Sequence, residues 1–252
     1  MAGSSGRRAR RHGVVRFDKG IDPVITCINR AKEPLGIEFR HLISILQRFL
    51  DEHFAPVWGA SATLRIARKP VHGTWTLFFY DTARDAEDAD DAGYHLLTYR
   101  GQPRAFVFVK PTIETNDKVS VTASHELAEL LVDPAINLWA DNDRQTRTAY
   151  EVCDAVEEDE FVIDGVPVTN FVYPAYFEAF RKPRSTQFDE MGLITRPLEL
   201  RPGGYNVVVV RGHSKERFGS AAKRKRFRKE DRRLHRTEYR LHRVRKRRRP
   251  RR

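Results

Sequence analysis

Apolar residues recur along this chain with two different periods. Between Gly36 and His53, the residues Phe39, Leu42, Ile43, Leu46, Phe49 and Leu50 return every three or four positions, which places them on one face of a helix. Pro56 is expected just past the end of that helix. The stretch SVTASHELAELLVD predicts a second helix, with Asn116 or Asp117 as N-cap and Asp133–Pro134 as its exit. Ala123, Leu127, Leu130 and Leu131 give that helix a face to bury. Shorter β-prone runs read as strands: Pro23–Ala31, Ala62–Lys69, Thr74–Thr82, a weaker YHLLTYR, and Arg104–Pro111. Two hairpins are expected, Phe161–Tyr173 turning at Asp164–Gly165 and Leu198–Val210 turning at Pro202–Gly204. This order predicts an α+β domain over residues 16–212, with one mixed or antiparallel sheet and two main helices.

Charge divides the chain further. The 252 residues carry 46 Lys+Arg against 34 Asp+Glu, a net of +12. From Arg211 to the end there are 21 basic and 4 acidic residues, whereas residues 17–210 are net −10. The body would repel phosphates at long range and is excluded as a nucleic-acid grip. Residues 1–15, rich in Gly, Ser and Arg, predict a disordered basic N-terminus. Residues 213–252 predict a basic tail, disordered or partly helical. The tail reads as an arm for nucleic acid or another polyanion, through Lys223, Arg224, Lys225, Arg226, Arg247, Arg248 and Arg249, or as a merely solvated segment of biased composition. The acidic run Asp85–Gly93 reads as a solvated loop, because its spacing matches no calcium loop. Two cysteines, Cys27 and Cys153, exclude a disulfide scaffold and a multi-cysteine zinc module, and are expected as free thiols. No apolar run approaches the roughly 20 residues of a membrane helix, and the N-terminus lacks the apolar segment of a signal peptide. The expectation is a cytoplasmic protein with no membrane partner.

The chemistry-bearing stretch is His125-Glu126-Leu127-Ala128-Glu129. On a helix, His125 and Glu129 are four residues apart and share a face, so one divalent cation can reach both. Glu126 is rotated by about 100° from His125 and can face a water rather than the cation. This is the logic of the zincin helix with Glu in place of its second His. A carboxylate there is an acceptable zinc ligand and widens the choice toward manganese or calcium. A third ligand is required. Glu151 is the first candidate, with Asp154 accepting the other ring N–H of His125, and the two roles can be exchanged. Asp133 is a further candidate ligand, or simply the helix exit. Cys153 reads as a buried structural thiol.

HELAELLVDPAINLW resembles a stretch of the phosphate-induced plant wall proteins of the EXORDIUM type. The matching positions are His125 to Leu130, Pro134, Asn137, Trp139, Glu151 and Asp154. The stretch is also similar to bacterial and phage proteins with His-Glu-x-x-Glu, Asp-Pro and a Glu-x-Cys-Asp segment. The resemblance covers about 50 residues well and implies a zincin-like fold. The function expected is a zinc-dependent hydrolase acting on a peptide or protein substrate, with Glu126 as general base. Tyr173, Tyr176 or Tyr205 is a candidate for steadying the oxyanion, and Arg104–Pro111 is either a substrate-pairing edge strand or a plain core strand. The alternatives are a zincin-derived domain that binds without turnover, and a nucleic-acid-associated protein acting through its tail.

Overall fold

The computed structural model of the chain describes residues 22–83, 92–98 and 100–230. The expected N-terminal segment 1–15, most of the acidic run, and the tail beyond residue 230, with Arg247, Arg248 and Arg249, lie outside the described residues.

The β-prone runs become β1 (Val24–Asn29), β2 (Thr63–Ile66), β3 (Trp75–Tyr80), β4 (Gly93–Leu97) and β5 (Pro103–Phe108). They form one sheet in the order β2-β1-β3-β5-β4. β1, β2, β3 and β5 run parallel, and β4 runs antiparallel to β5, so the sheet is mixed. The run at Arg104–Pro111 is therefore not the edge strand. Its residues are apolar on both faces, Ala105 and Val107 against the helices and Phe106 and Phe108 in an aromatic stack with Tyr94, which suits an interior strand. The edge beside β5 is β4, the weaker YHLLTYR run.

α1 (Phe39–Arg48) starts at Glu38, whose carboxylate accepts the His41 N–H at 2.7 Å, and buries Leu42, Ile43, Ile45 and Leu46. It does not stop before Pro56. A π-helical segment, Phe49–Phe54, widens the turn and leads into α2 (Ala55–Trp58), where Pro56 sits in the first turn and its missing N–H is tolerated. Gly59, at φ +61°, ends the helix in the left-handed region. Phe49 and Phe54 pack on Phe171 with ring centroids 5.7 and 5.1 Å away, tying this helical arm to the C-terminal half.

α3 (Val109–Glu114) precedes α4 (Val119–Val132), the second main helix. The expected N-caps do not serve. Lys118 occupies the cap position without a side-chain bond, Asn116 makes the turn at φ +60°, and Asp117 accepts from the Thr115 hydroxyl. α4 is also not amphipathic in the ordinary sense. Ser120, Ser124, His125, Glu126 and Glu129 are buried along with Ala123, Leu127, Ala128 and Leu130. The reason is that α4 packs on the β4–β5 half of the sheet and also against β9 (Val166–Thr169).

The chain after α4 forms β6 (Trp139–Asp141), β7 (Thr146–Ala149), β8 (Glu160–Ile163), β9 (Val166–Thr169), β10 (Tyr205–Val210) and β11 (His213–Phe218). β8 and β9 form the expected hairpin over Asp164–Gly165, with φ +48° and +80°, the backbone that a two-residue hairpin turn requires. The remaining four form an antiparallel sheet in the order β11-β10-β7-β6. The Leu198–Val210 hairpin is corrected here. β10 pairs forward with β11 through Arg211–Gly212, at φ +50° and +82°, and Leu198–Arg201 stays outside the sheet. Gly203 and Gly204 serve close packing, since a Cβ on Gly204 would lie 2.0 Å from the Ala155 carbonyl oxygen. The domain limit drawn at residue 212 falls inside this turn. Chain beyond it continues as β11 and then α5 (Ala221–Glu230). Among the described residues no helix is long and apolar enough to cross a membrane.

Candidate metal centre

α4 projects His125 and Glu129 to the same side, and His125 Nε2 lies 3.3 Å from Glu129 Oε1. The third group is Asp154, at the start of a short 3-10 turn, with Oδ1 3.4 Å from His125 Nε2. One donor atom from each of the three lies within 4.8 Å of the others. Donors held at ~2.1 Å around a tetrahedral zinc ion stand ~3.4 Å apart, so this spacing fits the ion. Backbone bonds hold the Asp154 segment in place. Val172 N–H donates to the Val152 carbonyl at 2.8 Å, Arg201 N–H to the Ala155 carbonyl at 3.0 Å, and Cys153 N–H to Glu129 Oε1 at 3.4 Å.

Neither arrangement expected for Glu151 and Asp154 is found whole, because only Asp154 stands beside His125. Asp154 joins His125 and Glu129. Glu151 instead groups with Glu129 and His95. Asp133 lies in neither donor group, and its Oδ1 and Oδ2 accept the backbone N–H groups of Asn137 and Leu138, each at 2.9 Å. It shapes the helix exit. Cys153 is a free, buried thiol whose pKa burial raises well above its usual value, and it belongs to neither donor group. Cys27 is likewise free and buried, its thiol pushed up to about 12 by burial.

His95 is the residue that the sequence did not single out. It sits on β4 in register with Ala105 of β5 and is 3 % exposed. Its Nε2 lies 3.2 Å from the Asp133 carbonyl, and its Nδ1 lies 3.5 Å from Glu126 Oε2 and 3.7 Å from Glu129 Oε2. Glu126 in turn packs against β4. A Cβ on Gly93 would come within 2.8 Å of its Cγ. No periodicity marks a lone His in a short strand, and only the sheet order brings it under α4.

No protein-family model matches this chain, and no curated protein or solved structure matches it either. The donors of the cluster and their charge therefore define what it can do. Glu126, Glu129, Glu151 and Asp154 are all buried, and among the described residues the imidazoles beside them are those of His95 and His125. Burial pulls the His125 pKa down, but Glu129 and Asp154 outweigh it and push the ring up to about 10. His95 is also raised, its burial overcome by Glu126, Glu151 and Glu129. Burial raises Glu129, partly offset by His125. Such a surplus of buried carboxyl groups calls for neutralisation, which a divalent cation provides.

The tyrosine candidates separate. Tyr173 donates to Glu190 Oε2 at 2.8 Å, and Tyr205 stacks on Phe218. Tyr176 is buried, its hydroxyl raised by burial and, to a lesser extent, by the Asp154 charge. In the tail, Lys223 is buried with Nζ 2.7 Å from Glu157 and 3.2 Å from Glu158, and Arg226 lies 2.7 Å from Glu158. Arg224 and Lys225 are exposed.

Proposed function

We propose that this domain is a zincin-like, metal-dependent hydrolase, most simply a peptidase, with zinc held by His125, Glu129 and Asp154. The observation that carries the reading is the approach of Glu129 Oε1 and Asp154 Oδ1 to within 3.3 and 3.4 Å of one imidazole nitrogen in a buried setting. One nitrogen and two oxygens suit zinc and leave a fourth position open, and the oxygen-rich set also admits manganese or calcium. When bound, the cation supplies a Lewis acid that acidifies water and polarises a carbonyl. Glu126 follows His125 on the helix and takes the proton of the attacking water, then returns it to the leaving amine as the peptide C–N bond breaks.

The test is elemental analysis of the purified full-length chain beside His125→Ala and Glu126→Gln. Wild type and Glu126→Gln are expected to carry zinc, His125→Ala to lose it, and Glu126→Gln to lose cleavage of a peptide library by at least about 100-fold. Equal metal in wild type and His125→Ala removes the site. A second reading, metal binding without turnover, is favoured by the enclosure of Glu126, 3 % exposed, and of Glu129 and Asp154. It expects bound metal and no cleavage by wild type of any peptide in the library.

A further inference from the structure

Glu129 faces two donor groups at once. Its Oε1 lies 3.3 Å from His125 Nε2, and its Oε2 lies 3.7 Å from His95 Nδ1. Glu151 completes the second group, and donor atoms of His95, Glu129 and Glu151 lie within 4.8 Å of one another, all three residues buried.

The independent pointer is the ring of His95. A carbonyl oxygen only accepts, so the contact of Nε2 with the Asp133 carbonyl at 3.2 Å places the proton on Nε2. Nδ1 then presents its lone pair to the carboxyl oxygens of Glu126 and Glu129, and among the described residues it has no hydrogen-bond partner. A lone pair facing anionic oxygens is repulsive unless a positive charge stands between them. That charge is either a second ring proton or a cation. A direct N–H···O bond draws its heavy atoms to roughly 2.7–3.2 Å. The observed 3.5 and 3.7 Å are longer, and nearer the ~3.4 Å that separates two ligands of one cation.

We infer that a second divalent cation is held by His95 Nδ1, Glu151 and Glu129 Oε2, with Glu129 bridging two metal positions. The inference rests on His125, Glu129 and Asp154 forming the first position. A bridging carboxylate sets such a pair ~3.5–4 Å apart, the spacing of two-metal hydrolytic sites. The His-plus-two-carboxylate donor set suits Zn2+ or Mn2+.

The metal-free full-length protein is titrated with Zn2+, desalted and measured for metal per chain. About two Zn2+ per chain are expected in wild type, and about one in His95→Gln and in Glu151→Gln. Wild type saturated with Mn2+ provides a readout that needs no variant. A pair of ions sharing Glu129 gives an exchange-coupled electron paramagnetic resonance spectrum, and isolated ions give six lines. One Zn2+ per chain, lost in His125→Ala and unchanged in His95→Gln, overturns the second position and leaves the first standing. A six-line Mn2+ spectrum at saturation also overturns it. No Zn2+ in wild type overturns both positions.

Discussion

Gly93 and Glu126 show how tightly one residue can be set by another. A methyl group on Gly93 would lie 2.8 Å from Glu126 Cγ and 2.9 Å from the Phe106 carbonyl oxygen, so Gly93→Ala must displace the glutamate or the strand. It is expected to cost about 1–3 kcal/mol of stability through overpacking, and to slow hydrolysis while bound zinc stays as in wild type. Thermal melting, metal analysis and peptide turnover measured together check this. Protonation at His125 has a definite sign in the metal-free protein. The folded ring titrates at about 10, above its ordinary 6.5, so its stabilising charge is fully present below 6.5 and is lost as pH climbs toward 10. Glu129, raised by burial, acts in the same direction. The melting temperature of metal-free protein should therefore fall between about pH 6.5 and 9.5, and excess zinc should flatten the curve, because metal displaces the proton. A rise over that range would contradict the charges assigned to the pocket. His125, Glu126 and Glu129 were legible in the sequence because helical spacing alone puts two of them on one face. The choice between Glu151 and Asp154, and the place of His95, depend on how separate strands and turns stack, which no local pattern encodes.

Among the elements, α4 carries the greatest constraint, because it is covered on both sides. Ser124 illustrates how. Its hydroxyl donates to the Ser120 carbonyl at 2.9 Å and accepts the Thr169 N–H of β9, also at 2.9 Å. Ser124→Ala would leave that buried N–H without its acceptor and is expected to destabilise the domain by about 1–3 kcal/mol, measurable by urea unfolding. Ser124→Thr, which keeps a hydroxyl, should retain more of the stability. The two main helices, the strands of the first sheet and the Asp164–Gly165 hairpin were readable from periodicity and turn chemistry, whereas α3 took up the end of the run read as the strand Arg104–Pro111. Two elements were misplaced for physical reasons. The π-helical segment absorbed Pro56, which ordinarily ends a helix. The valine run at Val207–Val210 could pair with chain on either side of it, and its neighbour is the charged segment His213–Phe218. A strand of such polarity carries little hydrophobic signal.

For the molecule as a whole, the boundary between body and tail is not where the charge changes sign. β11 and α5 belong to the folded part, and Lys223 and Arg226 are engaged by Glu157 and Glu158. A chain cut after residue 212 is expected to unfold at a lower temperature than one cut after residue 230, because β10 loses one of its two neighbouring strands and Glu157 loses Lys223. If the tail is a polyanion arm, the 1–230 chain should bind a DNA column less strongly than the full-length protein, since the stretch beyond it is rich in Arg. Full-length retention should fall steeply with added salt. Equal retention of the two chains at low salt would remove the tail as a polyanion arm.

The enclosure of the carboxyl cluster also governs how fast it can exchange its contents. Glu129 and Asp154 are 0 % and 1 % exposed, and His125 offers solvent only an edge. A scavenger such as EDTA, like a peptide substrate, reaches an ion seated there only when the fold breathes open. Depletion should then proceed at a pace set by that opening, level off as the scavenger is made more concentrated, and quicken with mild denaturant. Stopped-flow traces with a zinc-sensitive dye would register the plateau. A rate climbing in proportion to EDTA throughout would mean the ion is held at the surface.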